Sequence, residues 1–203
     1  MFFTKTPKAV QRLFPSLIWK INSSKKEVFI TFDDGPTPEF TQWILNLLKS
    51  LDIKSTFFCI GEKAKRHPNI ISEILQKGHS IGNHTFSHKN GWFLTLNSYV
   101  KEIEKCSNFV NNTNLFRPPY GKIYPWQIKK IIKNYKIIMW DILSFDFKKN
   151  QTSEKFQNNI LDNIESGSII VFHDNKLSEK ILKENLEDVL RKIRKKGFSF
   201  STL

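Results

Sequence analysis

The stretch VFITFDDGP at residues 28–36 decides the fold class, because an apolar run stops there at two carboxylates and a Gly-Pro pair. A short apolar run bounded by turn residues is typical of a buried strand. A helical pattern follows over residues 40–51, then a second apolar run over 55–60 and a second helical pattern over 70–76. This βαβα order predicts parallel strands that are covered by helices.

The same alternation continues to the C-terminus. Helical patterns are predicted at 96–110, 153–164 and 178–196, and further strands at 136–140, 168–172 and 198–200. Both an open sheet and a barrel fit this order. In either arrangement the residues that follow the strands meet at one edge of the sheet, so functional groups are expected there.

The composition indicates one soluble globular domain. The chain has 203 residues, of which 39% are hydrophobic and 25% are charged, which excludes a disordered or fibrous protein. No apolar run approaches the length of a transmembrane helix, so no membrane span is expected. We predict that residues 1–27 form an N-terminal extension that packs on a body formed by residues 28–203.

The charge is strongly basic, with 32 Lys and Arg against 19 Asp and Glu and a formal net charge of +13. Such a balance attracts anionic partners in general, including phosphate, an anionic glycan or a membrane surface. The excess consists of Lys, however, whereas sites that read nucleic acid rely on the bidentate guanidinium of Arg. We therefore expect a solvated basic surface and no specific nucleic-acid partner.

The cysteine content and the N-terminal sequence bear on the cellular compartment. Cys59 and Cys106 cannot form a disulfide framework, so redox chemistry leaves the compartment open. The start MFFTK meets Pro7 and Lys8 before a long apolar region can develop, unlike a secretory signal. Cytoplasmic residence is the default expectation, with action at the cell envelope the alternative. Apolar residues between Val10 and Ile18 suggest a short amphipathic face, expected to pack on the body rather than on a membrane.

The first candidate site is the turn that carries Asp33 and Asp34. Adjacent strand residues face opposite ways, so both carboxylates can share one site only if the strand ends between them. The following Gly35 and Pro36 make that plausible. Neighbouring carboxylates with divided roles suit one metal ligand and one general base. The alternative is an ordinary turn or a helix N-cap.

A second candidate is the pair His84 and His88. On a helical turn, residues at i and i+4 lie on one face and can bind one ion through their imidazole nitrogens. Two histidines and one carboxylate would leave an open position, as a catalytic zinc site requires. The alternative is a structural pair. Combination with the Asp33-Asp34 turn favours a metal site.

Three further motifs bring polar groups to the ends of apolar runs. The segment FRPPYG places Arg117 in a loop stiffened by two prolines, which can hold a guanidinium against a carboxylate. A second segment, WDILSFDF at residues 140–147, breaks an apolar run with acids and aromatics. A third, IIVFHD at residues 169–174, delivers His173 at the end of a buried strand. Each motif alone also fits a purely structural role.

In this order, the five motifs resemble those of the polysaccharide deacetylase family, the NodB-homology domains of carbohydrate esterase family 4. The resemblance covers about residues 28–200, and the segments STFFCIG at 55–61 and GHSIGNH at 78–84 are also similar to strands of the family. It implies an α/β fold, a distorted (β/α)7-8 barrel of the NodB type. It also implies a metal-dependent hydrolase that removes N-acetyl groups from an N-acetylglucosamine-containing glycan and releases acetate.

The resemblance assigns roles residue by residue. It makes Asp33 the general base and His173 the general acid, with Arg117 orienting the first and Asp146 the second. The backbone N–H of Tyr120 would stabilise the oxyanion. The resemblance further implies that Asp34, His84 and His88 bind the metal, and that Pro119, Trp140, Phe147 and Val171 contact the substrate.

The chain departs from the family pattern at two positions. Leu143 stands where the family often has Asp, and Phe147 stands where it often has Trp, so the substrate preference is open. Trp92 lies in a distinctive loop after the histidines, and both stacking on a sugar and simple packing stay open for it. The expected cofactor is a divalent metal, with Zn²⁺ the default and Co²⁺, Ni²⁺ or Mn²⁺ the alternatives.

Two other functions stay open from the sequence. One is hydrolysis of another amide or an O-acetyl ester on the same fold. The other is a catalytically weak glycan-binding module, which the basic charge would suit. The glycan polymer and the oligomeric state cannot be read from the sequence.

Overall fold

A computed structural model describes residues 3–203. The strands are Glu27–Asp33 (β1), Thr56–Cys59 (β2), Ser80–Asn83 (β3), Leu115–Phe116 (β4), Lys136–Ile137 (β5), Ile142–Leu143 (β6), Ile169–His173 (β7) and Ser199–Ser201 (β8). The helices are Lys8–Leu13 (α1), Pro38–Ser50 (α2), Gly61–Arg66 (α3), Pro68–Gln76 (α4), Leu96–Ser107 (α5), Pro125–Ile131 (α6), Ser153–Leu161 (α7) and Glu179–Lys195 (α8). The alternating order predicted from the sequence is therefore present.

The strands form one parallel sheet with β1 near its centre. The order is β5-β4-β3-β2-β1-β7-β6, and β8 pairs with the first residues of β1. The sheet curls into a half-barrel with helices packed outside it, which confirms the predicted distorted (β/α) barrel of the NodB type. Because all pairings are parallel, the C-terminal ends of the strands open on one edge.

Alternation along β1 divides the core into two layers. Val28, Ile30 and Phe32 pack in the large apolar cluster that α2 and α8 cover. On the opposite face, Phe29 belongs to a separate buried cluster with residues of β2, β4 and β7. The next residues on this inner face, Thr31 and Asp33, are polar and buried. The same period-2 pattern that buries the strand thus aims its polar residues into the barrel.

The N-terminal residues pair with strands on one side of the barrel. Thr6 donates its N–H to the Asp141 carbonyl at 2.8 Å, and Ile21 donates to the Gly167 carbonyl at 2.9 Å. The Lys5 ammonium lies 2.6 Å from the buried Asp141 carboxylate. These contacts attach the segment to the body, whereas the division of the chain at residue 28 stays a prediction. Met1 and Phe2, which the signal-peptide argument used, lie outside the described residues.

The predicted amphipathic face between Val10 and Ile18 differs from the structure. Helix α1 ends at Leu13, which is 72% exposed, and α1 buries no residue. Leu17 is buried, but it lies beyond the helix, where the chain pairs with residues after β5. Packing therefore comes from the extended segment after α1. Within residues 3–203, no helix is both long and apolar enough to cross a bilayer.

Strand β5 is shorter than the predicted run over 136–140. The carbonyls of Ile138 and Met139 accept hydrogen bonds from the Arg117 side chain, at 3.2 and 3.0 Å. The Met139 N–H donates to Ile18 of the N-terminal segment at 2.7 Å. Backbone groups that would extend a strand ladder are thus used by a side chain and by another segment, and the regular strand stops at Ile137.

Candidate active site

The end of β1 brings two neighbouring carboxylates to one side of the sheet. Strand β1 ends at Asp33, and Asp34 has a φ of 77°, in the left-handed region that Asp tolerates better than most residues. Gly35 follows where a Cβ would lie 2.2 Å from the Asp174 carboxylate, so a larger residue would have to displace that buried side chain. Asp33 and Asp34 both line the same pocket. Because the strand ends between them, the two carboxylates share one site, as the sequence required.

Asp34, His84 and His88 form a cluster of three ligand-type side chains. Their ligand atoms lie within 4.8 Å of one another. The Nε2 atoms of His84 and His88 are 3.5 and 3.1 Å from Oδ1 of Asp34, yet this buried oxygen has no hydrogen-bond donor. Nδ1 of His84 lies 2.8 Å from the Arg117 carbonyl, which can only accept, so Nδ1 carries the proton. His84 is thus oriented so that its Nε2 faces the same space as the orphaned carboxylate oxygen.

The loop that carries the two histidines is not helical, so the predicted helical turn is wrong. Thr85 and His88 both have positive φ, at 62° and 54°. The Asn83 side chain accepts from the Thr85 N–H at 2.9 Å, and Glu102 accepts from the Ser87 N–H at 2.9 Å. Side chains thus hold these two N–H groups in a loop whose positive φ values exclude a helical turn. The imidazoles still meet, with ring centroids 5.0 Å apart, because the loop folds back on itself.

The second oxygen of Asp34 is held by a residue from the far end of the chain. Asn175 donates from Nδ2 to Oδ2 of Asp34 at 2.7 Å. Its own Oδ1 accepts from the N–H groups of Leu177 and Ser178, at 2.9 and 3.1 Å, which fixes the orientation of the amide. Burial would raise the pKa of the Asp34 carboxyl, but the two imidazoles and His173 hold it well below its usual range. Asp34 is therefore an oriented carboxylate.

Arg117 is fully buried and anchors Asp33. Its Nη1 donates to Oδ1 of Asp33 at 2.6 Å and to Oγ1 of Thr31 at 2.8 Å. Two backbone carbonyls after β5 take its remaining hydrogen bonds, and its guanidinium lies 4.0 Å from the centre of the Phe58 ring. The charge is thus both paired and hydrogen-bonded, as burial requires. Its contacts fix the Asp33 carboxylate at the pocket.

His173 stands next to Asp33 on the adjacent strand β7, in register with it. Asp146 accepts from the backbone N–H of His173 at 2.6 Å and contacts its Nδ1 at 2.7 Å. Burial would lower the pKa of His173, but the Asp146 carboxylate raises it to about 9. A protonated imidazole therefore stands beside an aspartate paired with arginine, so a proton donor and a proton acceptor face one space.

These groups line a pocket of about 300 Å³. Trp140, Phe147 and Val171 contribute to its wall, as predicted for substrate contacts, and Leu143 joins them. The predicted contact Pro119 is buried in the loop, and its neighbour Pro118 lines the pocket instead. Tyr120 is 50% exposed at the pocket and packs edge-on against His88, with ring centroids 4.7 Å apart. Mostly apolar walls around a few polar groups are typical of a small-molecule or cofactor site.

Besides Pro118, three contributors to the site were not predicted. Asn175 orients Asp34, Thr31 shares the Arg117 guanidinium with Asp33, and Leu177 lines the pocket. The position of Thr31 two residues before Asp33 could have been a signal, because residues i and i+2 of a strand share a face. Asn175 and Leu177 carry no such signal, since they belong to an ordinary turn after β7.

Comparisons with known proteins agree on one family. Residues 20–140 match the family model described as polysaccharide deacetylase. The chain is 36% identical over 189 residues to a peptidoglycan-N-acetylglucosamine deacetylase of Bacillus cereus, covering 89% of this chain and 68% of that protein. It is 32% identical over 163 residues to a chitooligosaccharide deacetylase of Azorhizobium caulinodans, covering 76% of this chain and 77% of that protein.

A solved structure shows the same likeness in three dimensions. A crystal structure of the Bc1960 peptidoglycan N-acetylglucosamine deacetylase, in complex with 4-naphthalen-1-yl-N-oxidanyl-benzamide, superposes with a TM-score of 0.89. The two chains are 34% identical, and the match covers 98% of this chain and 95% of the other.

Proposed function

The chain belongs to the polysaccharide deacetylase family, as the five motifs indicated, and we propose that it hydrolyses the N-acetyl group of N-acetylglucosamine units in a glycan, releasing acetate. One observation carries the proposal: the Asp33–Arg117 pair and the His173–Asp146 pair face one pocket from adjacent positions of β1 and β7. Such an arrangement places a general base and a general acid next to the same reacting group of a bound substrate. The relatives named above act on peptidoglycan and on chitooligosaccharide, and both are candidates here, with exopolysaccharide a third.

The donor set beside this pair fits a divalent cation. Asp34, His84 and His88 combine one carboxylate with two imidazoles, and the orphaned Oδ1 of Asp34 is the kind of atom that a cation satisfies. We take Zn²⁺ as the resident ion, because nitrogen ligands with one carboxylate suit it, although Co²⁺, Ni²⁺ or Mn²⁺ also fit this set. When bound, such an ion supplies Lewis acidity, which polarises a carbonyl and lowers the pKa of water.

The residues of the chain divide the proton transfers between them. Asp33 takes a proton from the attacking water, while the hydrogen bond from Arg117 keeps its carboxylate oriented. The acetamide carbon then becomes tetrahedral, and the backbone N–H of Tyr120 is proposed to donate to the developing oxyanion. His173 gives its proton to the departing nitrogen, so the C–N bond breaks with release of a free amine and acetate. Asp146 keeps the imidazole protonated and oriented for that transfer.

The experiment that tests this function is acetate release by the zinc-loaded protein. The substrates are N-acetylglucosamine oligomers, peptidoglycan and acetyl-xylan, with Asp33→Asn as the control. We expect release from at least one N-acetylated glycan that disappears in Asp33→Asn. Release from acetyl-xylan alone would show an O-acetyl esterase instead. Glycan binding without acetate release by metal-loaded protein would show a binding module. The cytoplasmic location expected from the N-terminal sequence stays a prediction.

A further inference from the structure

Exposed aromatic side chains gather on two segments that leave the pocket side by side. The first segment runs from His88 to the 3₁₀ turn Gly91–Phe93, and the second runs from Tyr120 to the start of α6. Trp92 and Trp126 are 44% and 57% exposed. Single exposed apolar side chains are ordinary, but clustered exposed apolar patches mark ligand or protein contacts. This surface lies outside the pocket-lining residues.

Three of these side chains form a continuous stack, which we call the aromatic platform: Trp92, Tyr124 and Trp126. The Trp92 and Tyr124 rings lie 5.8 Å apart at 21°, and the Tyr124 and Trp126 rings lie 4.2 Å apart at 14°. The Lys122 ammonium lies 3.8 Å from the centre of the Trp92 ring. Because Trp126 remains 57% exposed while it stacks on Tyr124, its indole offers open apolar surface to a ligand.

A buried glutamine holds the platform rigid. Gln127 is 0% exposed, donates to the Gly91 carbonyl at 2.9 Å and accepts from the Tyr124 N–H at 2.9 Å. Asn90 accepts from the Trp92 N–H at 2.9 Å, which fixes the turn before the indole. A Cβ on Gly91 would lie 2.6 Å from the Lys122 carbonyl, so the two backbones touch. A surface fixed in this way loses little conformational entropy on binding.

The platform is continuous with the pocket. Tyr120 lines the pocket and packs against His88, and each of these residues begins one of the two segments that carry the platform. Resting on the proposed function, we propose that the aromatic platform binds further sugar units of the glycan whose N-acetyl group occupies the pocket. The ligand class is a polymer or longer oligomer of N-acetylhexosamine, not a monosaccharide.

The chemistry of the platform fits a glycan. Pyranose rings present apolar C–H faces that pack on aromatic rings, while their hydroxyl and acetamide groups accept hydrogen bonds from ammonium donors. The platform combines the indole of Trp126 with lysines nearby, including the exposed Lys129 and Lys130 on α6. A membrane interface also favours Trp, Tyr and Lys. Continuity with the pocket favours the glycan, because the sugar units next to an acetylated sugar in the pocket lie over the adjoining surface.

The test compares chain lengths. The ratio of kcat/KM for the N-acetylglucosamine hexamer to that for the dimer is measured in Trp126→Ala and Trp92→Ala. We expect this ratio to fall by about tenfold in each variant, because losing one aromatic contact worth roughly 1.4 kcal/mol corresponds to that factor. Trp126→Phe keeps an aromatic face and should keep most of the ratio. Ile132→Ala removes an exposed apolar side chain just after α6, outside the platform, and should change neither value.

A binding measurement separates failure of this proposal from failure of the proposed function. Calorimetry with the hexamer in the Asp33→Asn background should show weaker binding when Trp126→Ala is added. If no glycan releases acetate but this binding difference remains, the deacetylase function fails and the platform stands. An unchanged ratio together with unchanged hexamer binding overturns the platform. Loss of binding to anionic phospholipid vesicles in Trp126→Ala, with the ratio unchanged, would overturn it in favour of a membrane contact. Thermal unfolding verifies that each variant is folded.

Discussion

His79 and His173 lie at opposite ends of the parallel strands: His79 just before the N-terminal end of β3, and His173 at the C-terminal end of β7. Nδ1 of His79 accepts the Ser55 N–H at 3.1 Å, and burial together with two nearby lysines lowers the pKa of His79 to about 4. For His173, burial acts in the same direction, but Asp146 raises the pKa to about 9. Both imidazoles are affected by burial, and their pKa values differ because lysines lie near His79 and a carboxylate lies beside His173.

The difference concerns more than protonation. The polar groups that follow the C-terminal ends of β1, β3, β4 and β7 converge on one pocket, whereas His79 at the other end satisfies a backbone group. Parallel strands place their C-terminal ends together, and chemistry in such folds collects there. Substitutions at the pocket end should therefore change catalysis, and those at the His79 end should change stability.

The largest effect on catalysis is expected for Asp33→Asn. An amide cannot take a proton from water, so acetate release should fall by roughly 10²–10⁴-fold. Zn²⁺ binding measured by calorimetry should persist, because Asp33 is not one of the three clustered ligand residues. Retention of most of the activity would remove Asp33 from the role of base.

Asp146→Asn should weaken the acid without removing it. The variant loses the carboxylate that raises the pKa of His173, so the basic limb of the kcat/KM profile should move to lower pH. The expected cost at neutral pH is about 10- to 100-fold, because the imidazole also loses its orientation. A profile that keeps its basic limb in place, with lower activity at every pH, would contradict this account.

Asn175→Ala should weaken metal binding rather than the proton transfers. The variant removes the donor to Oδ2 of Asp34, and loss of such an outer partner typically costs about 10- to 100-fold in metal affinity. Competition with a chelator measures the Zn²⁺ dissociation constant directly. Asn134→Ala, an exposed asparagine after α6, is the matched control and should leave the constant unchanged. Equal constants for both variants would show that Asn175 only shapes its turn.

The sequence predicts the long elements well and the short ones poorly. Strand β7 follows from a continuous apolar run, and helix α8 follows from a long amphipathic pattern. Strands β4 and β6 have two residues each, too few for a periodicity, and depend on pairing with distant segments. The loop between the two histidines is set by Asn83 and Glu102, which accept its backbone N–H groups.

The same limit applies to the site. Motifs at the ends of apolar runs indicate Asp33 and His173, because a polar group ending a buried strand stands out in the sequence. Asn175 does not stand out, since it reaches Asp34 across 141 positions of sequence and otherwise looks like a turn residue. The individual roles of these residues stay predictions until the variants are measured.

The smallest effect on catalysis is expected at the other end of the sheet, for His79→Ala. The substitution leaves the buried Ser55 N–H without its acceptor, which should cost about 1–3 kcal/mol of unfolding free energy while kcat/KM at neutral pH stays within about twofold. The lowered pKa of His79 also makes the free energy of unfolding depend on pH. The unfolded chain protonates this imidazole below about pH 6.5, and the folded chain protonates it only near pH 4. The contribution of the neutral imidazole to stability is therefore complete above pH 6.5 and is lost as pH falls below that value. From pH 7 to pH 5 the wild type should therefore lose about 2 kcal/mol that His79→Ala does not lose, as measured by urea unfolding at both pH values. Equal losses in the two proteins would show that His79 is already protonated in the folded state, and the contrast between the two ends of the sheet would then rest on geometry alone.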